Sequence, residues 1–276
     1  MKNPRKGRGL TKNPALLIGA SIIVLVMLIG VFAPYLSPHD PSQMYPRNRR
    51  EWPSSQFLLG TDRLGRDILS RMIWGARVSL LIGSLAVGAS MVIGLSIGMV
   101  SGYYGGLLDE VLMRFMDMIF AFPALLLAMA LIAVTGPSVR NIILVTALIG
   151  VPRFARILRA SVLTLKAQEF VEAARALSKS DFGIMTQHIL PNCIAPLTVE
   201  TSLSIATAII TESALSFLGL GVRPPTPSWG QMIADGRTEV FNAPWIVIFP
   251  GLAIMITVLG YNLLGDGLRD ALDPRL

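Results

Sequence analysis

The clearest chemistry in this sequence sits on four positions. Glu200, Ser204, Thr207 and Thr211 recur at i, i+4, i+7 and i+11, which places them along one face of an α-helix. The residues around them are apolar, so one carboxylate and three hydroxyls form a polar stripe on a hydrophobic rod. Such a stripe can solvate polar groups of a passing solute. The hydroxyls can equally bond backbone carbonyls of their own or neighbouring helices, and the residues alone favour neither reading. Glu200 is costly to bury in an apolar medium, so it is expected to face a cavity or a partner. Just before the stripe, residues 163–191 form the longest polar-rich run of the second half. Two short helices are predicted there. The first, over 163–177, places Phe170, Ala173, Ala174 and Leu177 on one face and Glu169, Glu172 and Arg175 on another. The second is capped by Ser180 or Asp181 and stops at Pro191, which lacks an N–H. This reads as a docking element: Ala173 and Ala174 let a partner approach, and Glu172 supplies a fixed charge.

Other chemistries find no residues. No nucleophile–base pair suggests itself, and no G-x-x-x-x-G-K-[ST] loop occurs, so ATP binding by that route is excluded. The single cysteine, Cys193, forbids an intrachain disulfide. The two histidines, His39 and His188, are far apart and build no local metal cluster. No catalytic residue, metal or cofactor is expected.

The elements that must carry the stripe follow from composition. Of 276 residues, 53% are hydrophobic and only 15% charged, against about 25% in an ordinary soluble domain; mean hydropathy is +0.60. This is a polytopic membrane protein. A net charge of +7 reads as basic segments facing the cytoplasm and anionic lipid rather than as nucleic-acid binding.

Six spans are expected. The first is 14–36, an uncleaved helix behind a basic N-terminus (Lys2, Arg5, Lys6, Arg8, Lys12). A polar segment, 37–77, follows outside; Asp62 or Asp67 can cap the next helix, and Asp62, Arg66 and Asp67 are expected to hold this loop by hydrogen bonds. The second span, about 80–103, carries Gly83, Gly88, Gly94 and Gly98 for close helix packing. The third is about 118–135, kinked by Pro123. The fourth offers only 141–152 uncharged and needs Arg153 and Arg156 to snorkel; with Arg159 these read as an anchor on lipid phosphate. The fifth, 194–215, bears the stripe, with Glu212 off it. Pro224, Pro225 and Pro227 keep the next external segment non-helical, and Trp229 suits an interface. The sixth is 244–264. Both termini then lie in the cytoplasm, with most of the 24 basic residues.

Glu172-Ala173-Ala174, followed by Ile189-Leu190-Pro191, resembles the EAA loop of permease subunits of binding-protein-dependent ABC importers. Leu59-Gly60-Thr61-Asp62, Gly65-Arg66-Asp67 and Arg77-Val78-Ser79-Leu80 resemble the C-type subunit of dipeptide, oligopeptide and nickel importers, as do residues 212–232 and the C-terminal tail. The resemblance implies an all-α, type I ABC importer permease architecture in a prokaryotic inner membrane. It implies ATPase docking through Glu172, Ala173, Ala174, Leu177, Ser178, Asp181, Ile189, Leu190 and Pro191. The family carries Gly where Ser178 stands, so a left-handed turn is expected there, costing Ser about 1 kcal/mol. Implied partners are a second homologous permease, two ABC ATPase subunits and an extracytoplasmic solute-binding protein.

The reading is a permease subunit of two parts. Residues 1–78 hold the tail, first helix and external loop; residues 79–276 hold a five-helix core with its docking loop. The stripe would line the translocation path. Its hydroxyls and carboxylate suit amide and amino groups, which favours di- or oligopeptides over nickel or a metal chelate, for which His, Cys or Met ligands would be wanted. An ion-coupled secondary transporter would need buried carboxylates and an internal repeat; Glu200 and Glu212 are its only support.

Overall fold

The computed structural model describes residues 13–272. The basic positions between 2 and 12 and the last four residues, which entered the expected orientation, lie outside the described residues. Among the described residues all regular structure is helical, apart from one isolated bridge between Thr61 and Asp67.

Helix α1, Pro14–Val31, is capped by Asn13, whose side chain accepts from the Ala15 N–H at 3.0 Å, and a short α2, Ala33–Leu36, continues it. Helix α3, Ile68–Tyr104, has 37 residues and is ~55 Å long at ~1.5 Å per residue, well beyond the ~30 Å of hydrocarbon. It therefore begins earlier than the uncharged run predicted. Asp67 caps it, accepting the Ser70 N–H at 2.9 Å, and its first turns are buried beneath the 37–67 loop.

The third span is not one kinked helix. Helix α4, Gly106–Phe120, and helix α5, Ala124–Thr135, meet at 86° across the break before Pro123. Proline lacks the N–H that would continue the ladder and forces an extended residue before it. Twelve residues make α5 only ~18 Å long, so it crosses only in combination with its neighbour. Helix α6, Val139–Leu165, runs far past the uncharged stretch, with Pro152 inside it. Then follow α7, Glu169–Ala176; α8, Asp181–Ile184; α9, Ile194–Phe217; α10, Trp229–Gly236; and α11, Trp245–Leu272. Among the described residues five elements are long and apolar enough to cross a membrane, six when the bent α4–α5 pair is counted as one span.

Helices α3 and α6 share the most extensive contact. Gly94, Gly98 and Gly102 line it: a methyl at Gly94 would meet Phe154 Cβ at 2.6 Å and the Val151 carbonyl at 2.9 Å. Gly83 faces Ile209 on α9 in the same manner, whereas Gly88 has nothing near it. Small residues are what such a contact requires, because lipid supplies no hydrophobic drive for helices to associate.

The α10 end of the bundle is locked by charge. Asp62 accepts the Leu64 and Arg66 N–H groups and pairs with Arg66 at 2.6 Å; Arg66 reaches Asp235 of α10 at 3.0 Å, and Arg71 lies 3.7–3.8 Å from both acids. Two buried arginines and two acids thus balance one another. The 37–67 loop is held together as expected, but by a network that also takes in α3 and α10. Trp229 is no interface residue. It is buried, and its indole donates to the Met72 carbonyl at 3.0 Å. Trp245 donates to the Thr61 carbonyl at 3.3 Å and stacks on Trp52 with ring centres 4.4 Å apart.

Candidate functional site: a cavity with a polar stripe and an exposed loop

The loop before α9 is rebuilt relative to expectation. Leu163–Leu165 belong to α6, and the helix breaks at 166–168, where Lys166 donates to the Gly102 carbonyl at 2.9 Å. Helix α7 therefore starts at Glu169, with Glu169 and Glu172 in its first turn, where the helix dipole favours acids. The face turned inward is Val171 and Ala174, packed with Leu158, Val162, Ile184, Met185 and Ile189. Phe170, Ala173 and Leu177, predicted to share a face with Ala174, are exposed instead, together with Glu172. Phe182 of α8 is exposed beside them in sequence. The result is a pair of short helices whose exposed side carries small and charged residues together with the large apolar Phe170, Leu177 and Phe182.

Ser178 has φ of +57°, the left-handed turn expected there. Its N–H bonds the Arg175 carbonyl at 2.9 Å, and the Lys179 N–H bonds Ala174 at 3.2 Å. These two bonds satisfy the free carbonyls at the end of α7. Ser180, not Asp181, caps α8, accepting the Gly183 N–H at 3.2 Å. Asp181 accepts from the Tyr103 hydroxyl at 2.7 Å and so ties the loop to the end of α3.

Pro191 does not stop the chain. Met185–Ile189 widens into a π turn, in which the Leu190 N–H reaches back to Met185, and Leu190–Cys193 tightens into a 3-10 turn that leads directly into α9. The wide turn removes the carbonyl that the proline ring would strike. Ile189 is buried, Leu190 half-buried and Pro191 exposed. Cys193 is fully buried in the same cluster.

Ser204, Thr207 and Thr211 line a cavity of about 280 Å3. Its other walls are Val87 and Ser90 of α3, Phe120 and Phe122 at the α4–α5 elbow, and Thr146, Ile149, Gly150, Arg153 and Phe154 of α6. The Thr207 and Thr211 hydroxyls donate to the Leu203 and Thr207 carbonyls at 3.0 and 2.9 Å, so the backbone-bonding reading of the stripe holds for these two, and both residues also line the cavity. Ser204 donates to Glu200 at 2.8 Å, and Glu200, itself buried, pairs with Arg153.

The arginine row of α6 is therefore not a lipid anchor. Arg153 pairs with Glu200, Arg156 with Asp117 at 2.6 Å, and Arg159 with Asp109 at 2.5 Å; Arg156 also lies 4.3 Å from the Phe120 ring centre. Each arginine faces an acid on α4 or α9, a contact local spacing on α6 alone does not reveal. Sequence reasoning also missed Thr146. Glu212 is off the stripe as expected, yet fully buried, accepting from Ser216 at 2.8 Å and Ser228 at 2.9 Å. Ser216, one turn on from Glu212, was the signal available in the sequence.

A bundle of this kind, hollowed by a mainly apolar cavity that carries one polar stripe and closed at one end by a loop with an exposed apolar face, has the build of a transport permease subunit. The chain belongs to the family described as binding-protein-dependent transport system inner membrane component, whose model matches residues 94–276. Residues 7–53 match the N-terminal TM domain of oligopeptide transport permease C. The chain is 44% identical over 267 residues to a dipeptide transport system permease protein of Alkalihalophilus pseudofirmus, covering 97% of this chain and 88% of the relative. It is 43% identical to a di/tripeptide transport system permease protein of Pseudomonas aeruginosa, covering 96% and 89%. It is 44% identical to a glutathione transport system permease protein of Pectobacterium atrosepticum, covering 94% and 87%. The fold is similar to that of an inward-facing MetNI methionine ABC transporter chain, with a TM-score of 0.59 and 17% identity over 71% of this chain and 93% of that one. It is a multi-pass membrane protein of the ABC importer class.

The turn at Ser178 yields the first prediction. Ser178→Gly relieves the left-handed strain of about 1 kcal/mol and should leave the thermal midpoint of the purified subunit unchanged or raised. A drop of several degrees would show that the Ser side chain is needed in the turn.

Proposed function

We propose that this chain is the permease subunit of an ABC importer for di- or oligopeptides, working by alternating access. The observation that carries it is the α9 stripe lining a membrane cavity beside a paired Glu200, in a chain with relatives named for dipeptide, di/tripeptide and glutathione transport. Hydroxyl oxygens and one neutralised carboxylate suit amides and ammonium groups. A bare nickel ion would want nitrogen or sulfur ligands; His39, His188 and Cys193 all lie off the cavity wall. The translocation path is Glu200, Ser204, Thr207 and Thr211. The chain performs no chemistry itself. A second homologous permease completes the path, two ATPase subunits drive it, and an extracytoplasmic solute-binding protein delivers the substrate.

In this reading the α7–α8 end is cytoplasmic, as are both termini, and the α10 end is external. The ATPase contacts the exposed Phe170, Glu172, Ala173, Leu177 and Pro191. Ala174 and Ile189, being buried, hold the loop in shape; Ser178 and Asp181 set its turn and its tie to α3. The segment 1–78 and the core 79–276 act as two parts. ATP-driven movement of the loop passes directly into α9, because the π and 3-10 turns join them as one helical rod.

Three measurements test this. Calorimetry on the cognate solute-binding protein should show micromolar or tighter binding of di- to pentapeptides; tight binding of a nickel complex with no peptide response would overturn the substrate. Glu172→Lys should lower substrate-stimulated ATP hydrolysis of the assembled complex while membrane insertion persists, and full stimulation would remove Glu172 from coupling. For orientation, buried Cys193 is silent to aqueous reagents. Phe241→Cys, at a position 98% exposed, should react with an impermeant thiol reagent in intact cells. Leu177→Cys, at a position 83% exposed, should react only after permeabilisation. The opposite pattern reverses the topology.

A further inference from the structure

Arg153 differs from the other two arginines of its row. Arg156 and Arg159 close onto α4, whereas Arg153 lines the cavity and crosses to α9. Its Nε meets Glu200 Oε1, the oxygen that Ser204 also bonds. Among the described residues its two Nη groups make no hydrogen bond, and neither does Glu200 Oε2. A guanidinium keeps N–H donors in a fixed fork that matches a carboxylate. The pair thus leaves a carboxylate receptor and an ammonium receptor side by side, each still neutralised by the other. Thr146 Oγ1, on the same wall, is buried with no hydrogen-bond partner, an arrangement that is costly unless a solute or water supplies one.

We infer that the Arg153–Glu200 pair recognises the terminal charges of the peptide as it passes. The free carboxylate binds the Arg153 Nη groups and the free ammonium binds Glu200 Oε2, each terminus in turn. This rests on the peptide reading given above and deepens it. A zwitterion offers each receptor its partner in turn, without separating the pair. A bare cation engages Glu200 alone and meets the guanidinium charge, and a neutral solute engages neither. Breaking the pair without such replacement would strand two charges in a low-dielectric site. The pair therefore admits molecules that carry both charges and holds back those that carry one or none.

The test uses the complete transporter with its binding protein in proteoliposomes. The probes are trialanine, its C-terminal amide and its N-acetyl form, each saturating the binding protein. The same binding protein delivers every probe, so its own preference cancels between the unmodified and variant complexes. Arg153→Gln should lower the uptake ratio of free acid to amide by about tenfold, the scale of one charge-assisted hydrogen bond, and leave the ratio of free amine to N-acetyl peptide unchanged. Glu200→Gln should do the reverse. Arg153→Lys keeps the charge and the clasp between helices but loses the fork, and should lower the acid-to-amide ratio by about threefold, even if the glutamine variant fails to assemble. Ratios that stay at the unmodified values in all variants overturn the inference and leave the pair as a clasp alone. An unmodified complex that takes up none of the three probes fails the peptide reading itself.

Discussion

Charge neutralisation inside an apolar bundle is the constraint on which the rest of this structure depends. A charged group in a low-dielectric surround is tolerated only when paired, and the chain obeys this at both ends. At one end, α6 sets Arg153, Arg156 and Arg159 against Glu200, Asp117 and Asp109, and so fixes α4 and α9 around itself. At the other, Arg66 and Arg71 share Asp62 and Asp235, which pins the long loop and α10 onto α3. Removing one member of the buried Arg66, Arg71, Asp62 and Asp235 network costs on the order of 3–5 kcal/mol, whereas the more exposed α6 pairs contribute less. The paired charges thus set which helices touch, while the glycines of α3 set how closely.

The cavity follows from that arrangement. The α4–α5 elbow is held by Asp117 on Arg156 and by Arg156 over Phe120, so Phe120 and Phe122 form one wall. The stripe on α9 forms the opposite side, and Arg153 bridges between α6 and α9. A polar stripe on an isolated helix would have no defined partner. Here the ion pairs on α6 determine what it faces.

The two ends are built differently, and the difference suits a machine that is driven from one side. The α10 end is tied together by buried polar contacts, among them Glu212 with three serine hydroxyls, Ser79 at 3.5 Å completing the set. The α7–α8 end buries only Val171 and Ala174 from α7 and leaves Phe170, Leu177 and Phe182 in the open. From α8 onward the chain runs as continuous helix into α9, while α7 joins it through the turn at Ser178.

Much of this was legible in the residues. Apolar runs separated by charge mark the spans, because a helix must satisfy its backbone internally to cross lipid. The period of Glu200, Ser204, Thr207 and Thr211 marks a polar face, and Ser178 marks the left-handed turn through its family position. These are local properties, carried by neighbours in the chain. The tertiary structure alone decided the rest. It paired the α6 arginines with acids tens of residues away rather than with lipid. It bent the third span through 86°, turned Ala174 inward and Phe170 outward, buried Trp229, and carried the helix past Pro191 through a widened turn. Each of those outcomes depends on which surfaces meet across the bundle. Spacing along one helix fixes a direction about its axis but not what lies in that direction.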